Sequence, residues 1–361
     1  MVRWRSGIVS SVRREWHGAV ELEVGTGDGP VTALAYPELT GAPRPGDRVL
    51  LNVGALVMGL GTGGYALVVA LPDRLPADPA ADGTTRDGGH LVKARYTPLQ
   101  PILLGVDEEA SPHRAAMEAA SGLDDMPVVT ADLHSALPAI LAGIHADRPD
   151  ARVAYVMTDG GALPAWFSRT LDGLRGVLAG TVTTGQAFGG DLEAGTVHAG
   201  LLAARHVLHA DVAVVAQGPG NLGTGTAWGF SGVAVGEAVN AAVALGGRPV
   251  GSLRISDADG RARHRGVSHH SLTAYGRVAL VPADLPVPAD LPADLAKEVS
   301  DALAPLSTLH RVVEVPTDGL DAALQASPVR LATMGRGLAE DHAYFVAAAA
   351  AGRHAAALLP V

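Results

Sequence analysis

The sequence predicts an α/β protein in which a small N-terminal β-barrel precedes a doubly wound, mostly parallel α/β sheet domain. Three observations carry that prediction. Up to residue 72 the chain runs in short segments of alternating apolar and polar residues; beyond residue 90 strand-like and helix-like segments alternate; and the strand-like segments of this second part are continuous apolar runs. Alternation marks strands with one solvated face, the second pattern marks βαβ units, and unbroken apolar strands mark a sheet covered on both faces.

The first part reads as five strands, "SGIVSSV", "GAVELEV", "VTALAYP", "DRVLLNV" and "YALVVAL", punctuated by "GTGDGP" and "PRPGD". That suits a barrel or sandwich over residues 1–72. The piece from Val49 to Pro72 is uncharged and long enough to span a bilayer, but Gly59, Gly61, Gly63 and Gly64 break it, favouring two strands and a tight turn. Residues 73–89 replace alternation with Pro, Asp and Gly and read as a linker. From 90 to 361, "MPVVTAD", "ARVAYVMTD", "GVLAGTVTTG" and "DVAVVAQ" are each followed by a helical segment, and "RPVGSLRIS", "RVALVPA" and "HRVVEVP" continue the strands. A last helix is expected from about Gly337 to Leu358, and "PADLPVPADLPADL" reads as a connector.

Composition bounds the function. At 361 residues two domains are the natural prior, and 48% hydrophobic with 18% charged residues argues for packed cores rather than disorder. A formal charge of −10 disfavours nucleic acid and anionic membrane as partners. The absence of cysteine removes disulfides, thiolate nucleophiles and Cys-type metal sites, so any metal needs His and carboxylate ligands. The opening "MVRWRSGIVSSVRREW" lacks a signal-peptide core, which makes the cytoplasm the default. Trp4, Trp16 and the arginines at 3, 5, 13 and 14 read as barrel surface.

Open α/β sheets bind ligands beyond the carboxyl ends of their strands. Those ends carry Asp132 and His134; Thr158, Asp159, Gly160 and Gly161; Thr183, Thr184, Gly185 and Gln186; Gln217 with "GPGNLGTGTAWGFSG"; and Ser256, Asp257 and Asp259. The glycine stretch holds six glycines in 15 positions, against 45 in the chain's 361. Glycine lets backbone approach a ligand closely, so Gly218, Gly220, Asn221, Gly223, Thr224, Gly225 and Thr226 are candidate anion contacts. Gly218, Gly220 and Gly223 satisfy G-x-G-x-x-G, but mid-domain and without the acidic residue after the next strand; Walker and nucleophile-elbow motifs are absent.

The stretch "RHRGVSHHSLTAYG" admits three readings. His264, His269 and His270 have metal-ligand spacing, with Asp132 and His134 able to complete an O/N site for a divalent metal. Arg254, Arg263, Arg265 and His269 read equally as a cationic wall for an anionic substrate, one imidazole serving as acid or base. In the third reading Arg261, Arg263 and Arg265 pair with Asp257 and Asp259 in a surface turn, with Ser268 capping a helix. Lys93 is a further candidate because only one other lysine, Lys297, exists; Arg336 and Asp341 with His342 are candidates for the same edge.

"GHLVKARYTPLQ", "ADLHSALPAILAG", "YVMTDGGALPAWFS", "QGPGNLGTGTAWGFSGVAVGEAVNAA" and the histidine stretch together resemble the bacterial family known as domain of unknown function (DUF) 3866, across nearly the whole chain. The resemblance implies a cytoplasmic bacterial protein and brings no activity, cofactor or catalytic residue with it. The residues themselves favour an enzyme acting on an anionic, possibly phosphorylated, small molecule. Asp132, His134, Asp159 or His269 would move protons, Arg254, Arg263, Arg265 and Lys93 would bind the substrate with the glycine loop, and size is compatible with a homodimer. The alternatives are a non-enzymatic metabolite-binding or assembly protein and a His/Asp metal-dependent hydrolase.

Overall fold

The computed structural model describes residues 2–61, 63–77 and 89–360. They form two compact units, Met1–Leu104 with Trp166–Asp172, and Gly105–Ala165 with Gly173–Val361. Within the expected linker, residues 78–88 lie outside the described residues.

In the first unit β1 (Trp4–Trp16), β2 (Ala19–Thr26), β3 (Gly29–Ala35), β4 (Arg48–Asn52) and β5 (Ala66–Ala70) close a barrel in the order β1-β2-β3-β5-β4. Every second side chain points inward, so Leu22, Val24, Ala33, Val49, Leu51, Ala66 and Val68 make one core. Register shifts after Val9 and Val12 bend the long β1, which lets one strand pair with both β2 and β4. The apolar run from Val49 is therefore barrel wall, with a helical turn Gly54–Val57 between β4 and β5. Among the described residues no helix is long and apolar enough to cross a membrane. The segment Trp166–Asp172 docks on the barrel, where the Trp16 indole N–H donates to the Trp166 carbonyl at 2.7 Å. A two-stranded ladder, β6 (Leu91–Val92) and β7 (Ile102–Leu103), completes this unit.

The second unit is built on an eight-stranded parallel sheet: β8 (Pro127–Ala131), β9 (Val153–Thr158), β10 (Gly180–Thr183), β11 (Leu192–Glu193), β12 (Val212–Gln217), β13 (Arg248–Ser252), and the strands Asp284–Pro288 and Arg311–Val315. Two short antiparallel ladders lie outside it: β14 (Ile255–Ser256) with β15 (Gly266–Val267), and, after β16 (Asp284–Pro288) and β17 (Arg311–Val315), β18 (Ala332–Thr333) with β19 (Arg336–Gly337). The sheet order is β11-β10-β9-β12-β8-β13-β16-β17. The winding order reverses at the centre, since β8 leads to β9 on one side whereas β12 leads to β13 on the other. Helices Val197–His206 and Ala234–Ala244 bury the side chains of one sheet face, including Val128, Ala154, Val156, Ala213 and Val215.

Three expected elements differ. The apolar segment Arg277–Ala283 is not a strand: a π-helical turn, Ala274–Val278, extends the helix His269–Thr273, because a short apolar run fits a buried helical turn as well as a strand. The sheet strand is β16, inside the expected connector. Pro286 and Pro288 cannot donate to a ladder, and β16 accordingly pairs with β13 at one position, Val250↔Asp284, while it pairs along its whole length with β17. "RPVGSLRIS" divides into β13 and β14, and the last helix starts at His342 because Arg336 and Gly337 form β19.

His134 follows β8 in a 3₁₀ turn and is buried, with Nδ1 2.9 Å from the Tyr155 hydroxyl, which lies 2.9 Å from the Gln217 carbonyl. Through Tyr155 it ties the ends of β8 and β12 to the body of β9, and burial lowers its pKa from 6.5 to about 4.

Helices Leu137–Asp147 and His342–Ala357 cross with their backbones in contact: a Cβ on Gly143 would lie 1.9 Å from the Ala349 carbonyl oxygen, and one on Gly352 would lie 2.0 Å from that of Ile140. Gly143→Ala is therefore expected to destabilise the chain by about 1–3 kcal/mol or more in urea denaturation, whereas Gly27→Ala, with nothing within 4 Å, is expected to change it little. A second expectation concerns pH. An unfolded chain protonates His134 below about 6.5 and the native one only near 4, so stability falls as pH drops through that window, by up to roughly 3 kcal/mol from this group. Denaturation of wild type and His134→Gln at pH 7.5 and 4.5 checks this; equal losses in the two proteins refute it.

Candidate functional site

The polar residues collect where the sheet reverses, at the carboxyl ends of the neighbouring strands β12, β8 and β13. Asp132 follows β8, Gln217 ends β12, and Arg254 lies two residues past β13. The β14–β15 ladder folds the next segment back, so that the Ser268 N–H donates to the Arg254 carbonyl at 2.8 Å and the Arg254 N–H to Ser271 Oγ at 3.0 Å. Ser268 caps the helix His269–Thr273: its hydroxyl accepts from the His270 N–H at 3.2 Å and lies 2.7 Å from His264 Nδ1. These bonds gather three imidazoles, tilted or edge-on to one another, with ring centroids 4.4 to 4.9 Å apart. One ring nitrogen from each of His264, His269 and His270 lies within 4.8 Å of the others.

His270 stacks flat on Phe230, with centroids 3.8 Å apart and an interplanar angle of 2°. Its Nδ1 faces Asp132 Oδ2 at 3.6 Å, too long for a hydrogen bond. The Gln217 side-chain amide donates to the Asp132 carbonyl and to Asn221 Oδ1. Among the described residues six buried side-chain atoms lack any hydrogen-bond partner, and five belong to this cluster: Asp132 Oδ2, Gln217 Oε1, Arg254 Nη1, His269 Nε2 and His270 Nδ1.

A charge network backs the imidazoles. The buried Asp259 carboxylate is shared by Arg261 at 2.7 Å, Arg254 at 3.1 Å and Arg336 at 3.3 Å, and Arg336 also holds Asp341 at 2.8 Å. The Arg261 hydrogen bonds hold the Asp259 carboxyl far below the usual carboxylate range. Burial, followed by the charges of Arg254 and Arg261, lowers His264 to about 3; burial and the neighbouring His270 and arginines lower His269. Both rings are thus neutral at physiological pH, with ring lone pairs available.

Of the residues expected at the site, Asp132, Arg254, His264, His269 and His270 come together. A Cβ built on Gly223 would lie 3.9 Å from His270 Cε1, and one built on Gly225 would lie 3.7 Å from the Arg263 guanidinium. The rest of the glycine loop is an exposed hairpin-like excursion that uses its own amides: Thr224 N–H donates to Gly229, Gly229 N–H to Thr226 Oγ1, and Leu222 N–H to Ser231 Oγ. Gly218 is buried with its N–H on the Thr158 carbonyl, and Gly220 is exposed at φ 89°. Other candidates are placed differently. His134 packs with Tyr155; the exposed Asp159 accepts from the Gln186 N–H at 2.8 Å; and Arg263 and Arg265 are exposed. Lys93 belongs to the barrel unit, fully buried, its N–H on the Pro101 carbonyl. Of the expected surface turn, the Arg261–Asp259 pair and the Ser268 cap are present.

Phe230 and Tyr344 were not singled out from sequence. The Tyr344 hydroxyl is 2.9 Å from Ser135 Oγ, and burial, with the Asp132 charge nearby, pushes this phenol up. Its signal was an aromatic pair, "AYF", in an otherwise alanine-rich helix.

No curated protein and no solved structure matches the chain. A family model described as "Protein of unknown function (DUF3866)" matches residues 32–352, most of the 361, and the chain therefore belongs to the DUF3866 family.

Proposed function

We propose that this chain is an enzyme acting on an anionic small molecule at the ends of β12, β8 and β13. The observation that carries the reading is the concentration of unpartnered buried atoms on Asp132, Gln217, Arg254, His269 and His270. Each such atom costs roughly 1–3 kcal/mol when left unpaired, and natural chains keep few of them, so a cluster in one place is best accounted for by a ligand that satisfies them. The ligand's charge follows from the surroundings. Three guanidiniums, of Arg254, Arg261 and Arg336, share two carboxylates, Asp259 and Asp341, and Arg263 adds a further cation beside Gly225.

In this reading Arg254, held by Asp259 through Nη2, directs its unpartnered Nη1 at an oxygen of the substrate. Asp132 handles the proton: its Oδ2 lacks a hydrogen-bond partner and faces His270 Nδ1 at 3.6 Å, and Phe230 holds that ring flat beside it. Gln217 orients Asp132 through its carbonyl.

Calorimetric titration with inorganic phosphate at low ionic strength tests the binding step. Wild type is expected to bind, Arg254→Met and Arg254→Lys to lose about tenfold or more, and exposed Arg265→Met to bind as wild type. With a panel of phosphate and carboxylate esters, Asp132→Asn is expected to lower turnover by about 10²–10⁴-fold. Folding of each variant is verified by thermal melting. Phosphate binding that is absent in wild type, or unchanged in folded Arg254 variants, refutes the proposal.

A further inference from the structure

We infer that His264, His269 and His270 form the binding site of one divalent transition-metal ion. The inference shares its cluster with the anionic-substrate reading but does not require the anion. Histidines used only for packing normally place their ring nitrogens in hydrogen bonds. Here His269 Nε2 is buried without a hydrogen-bond partner, His270 Nδ1 faces the Asp132 carboxylate at 3.6 Å and so leaves Nε2 to offer, and no hydrogen bond joins any two of the three rings. Instead one nitrogen from each converges within 4.8 Å of the other two. Zinc–imidazole bonds of about 2.0–2.1 Å in tetrahedral geometry put ligand nitrogens roughly 3.3–3.4 Å apart, so closing the set takes side-chain adjustments of about 1.5 Å at most.

The support of each ring is what a metal ligand needs. Ser268 engages His264 at Nδ1, which leaves Nε2 as the nitrogen to offer. His270 is wedged on Phe230 with the Asp132 carboxylate alongside, the arrangement in which a carboxylate orients a ligating imidazole and raises its basicity. His269 follows the capping Ser268 in the first turn of the same short helix. Three imidazoles and one adjacent carboxylate suit zinc, cobalt or nickel rather than calcium or magnesium, which select oxygen-rich sites. Three protein ligands leave a coordination position open, and an ion there would supply Lewis-acid activation of water or of a substrate oxygen beside Arg254.

The test uses the full chain, stripped with chelator and dialysed against Zn²⁺ or Co²⁺, with elemental analysis and Co²⁺ visible absorption as readouts. About one ion per chain is expected, with the intense visible bands of a low-coordinate cobalt site. His264→Ala and His269→Ala are each expected to weaken binding by about 100-fold or more and Asp132→Asn by about 10–100-fold, while exposed His342→Ala leaves it unchanged. A wild-type chain that takes up no ion, or folded His264→Ala and His269→Ala chains that bind as wild type, overturns the inference. Phosphate titration of stripped and loaded protein separates the two proposals. Metal uptake without phosphate binding refutes the anion reading alone, and phosphate binding without metal uptake refutes this one alone.

Discussion

The hydrogen bond from the Ser268 N–H to the Arg254 carbonyl is the constraint on which the site depends. It joins the segment leaving β13 to the start of the histidine helix, while the Arg254 N–H donates a second bond to Ser271 Oγ. Because β13 lies beside β8 and β8 beside β12, this one attachment brings the imidazoles to the ends of three strands at once. The small side chain of Ser268 then performs two tasks, capping the helix and engaging His264. A parallel sheet supplies such a meeting place at low cost, since its strand ends are in register and its helices point their N-termini toward the same rim.

Electrostatics decides what kind of meeting place it is. Asp259 is buried among three guanidiniums, and such a group stabilises mainly as a unit, because removing one partner leaves uncompensated buried charge. The unit also acts at a distance. Burial first, and then the charges of Arg254 and Arg261, disfavour protonation of His264 and His269, which keeps two imidazoles neutral beside guanidiniums. Ring lone pairs and guanidinium charge are thereby held side by side.

Much of the fold was legible because it follows local rules. The five barrel strands alternate, and the central sheet strands are unbroken apolar runs bounded by helices. What escaped was non-local. β16 hides behind two prolines, tolerated because its β13 side is almost unpaired, and nothing in "DLPVP" announces that neighbour. At the site, the Ser268 cap and the Arg261–Asp259 pair could be read from short spacings, as could the convergence of His264 with His269. His134 and Asp159 looked equivalent to Asp132 in sequence, each polar and just past a strand. Their fates were decided by partners 21 and 27 residues away, Tyr155 and Gln186. Arg336 reaches Asp259 across 77 residues, a distance no motif encodes.

The alanine-rich helix His342–Ala357 is fastened at both rims of the sheet. At its start Asp341 takes hydrogen bonds from Ser256 and Arg336; near its end His354 Nε2 lies 2.8 Å from Asp284, the first residue of β16. Sixteen residues make a rod of about 24 Å, seated so closely on its neighbour that two glycines touch opposing backbone. Methyl-sized changes along this spine cannot be absorbed by sliding, because both fastenings resist it. They are passed lengthwise instead, so a residue far from the histidine cluster can set the stance of Arg336 and, through Asp259, of Arg254.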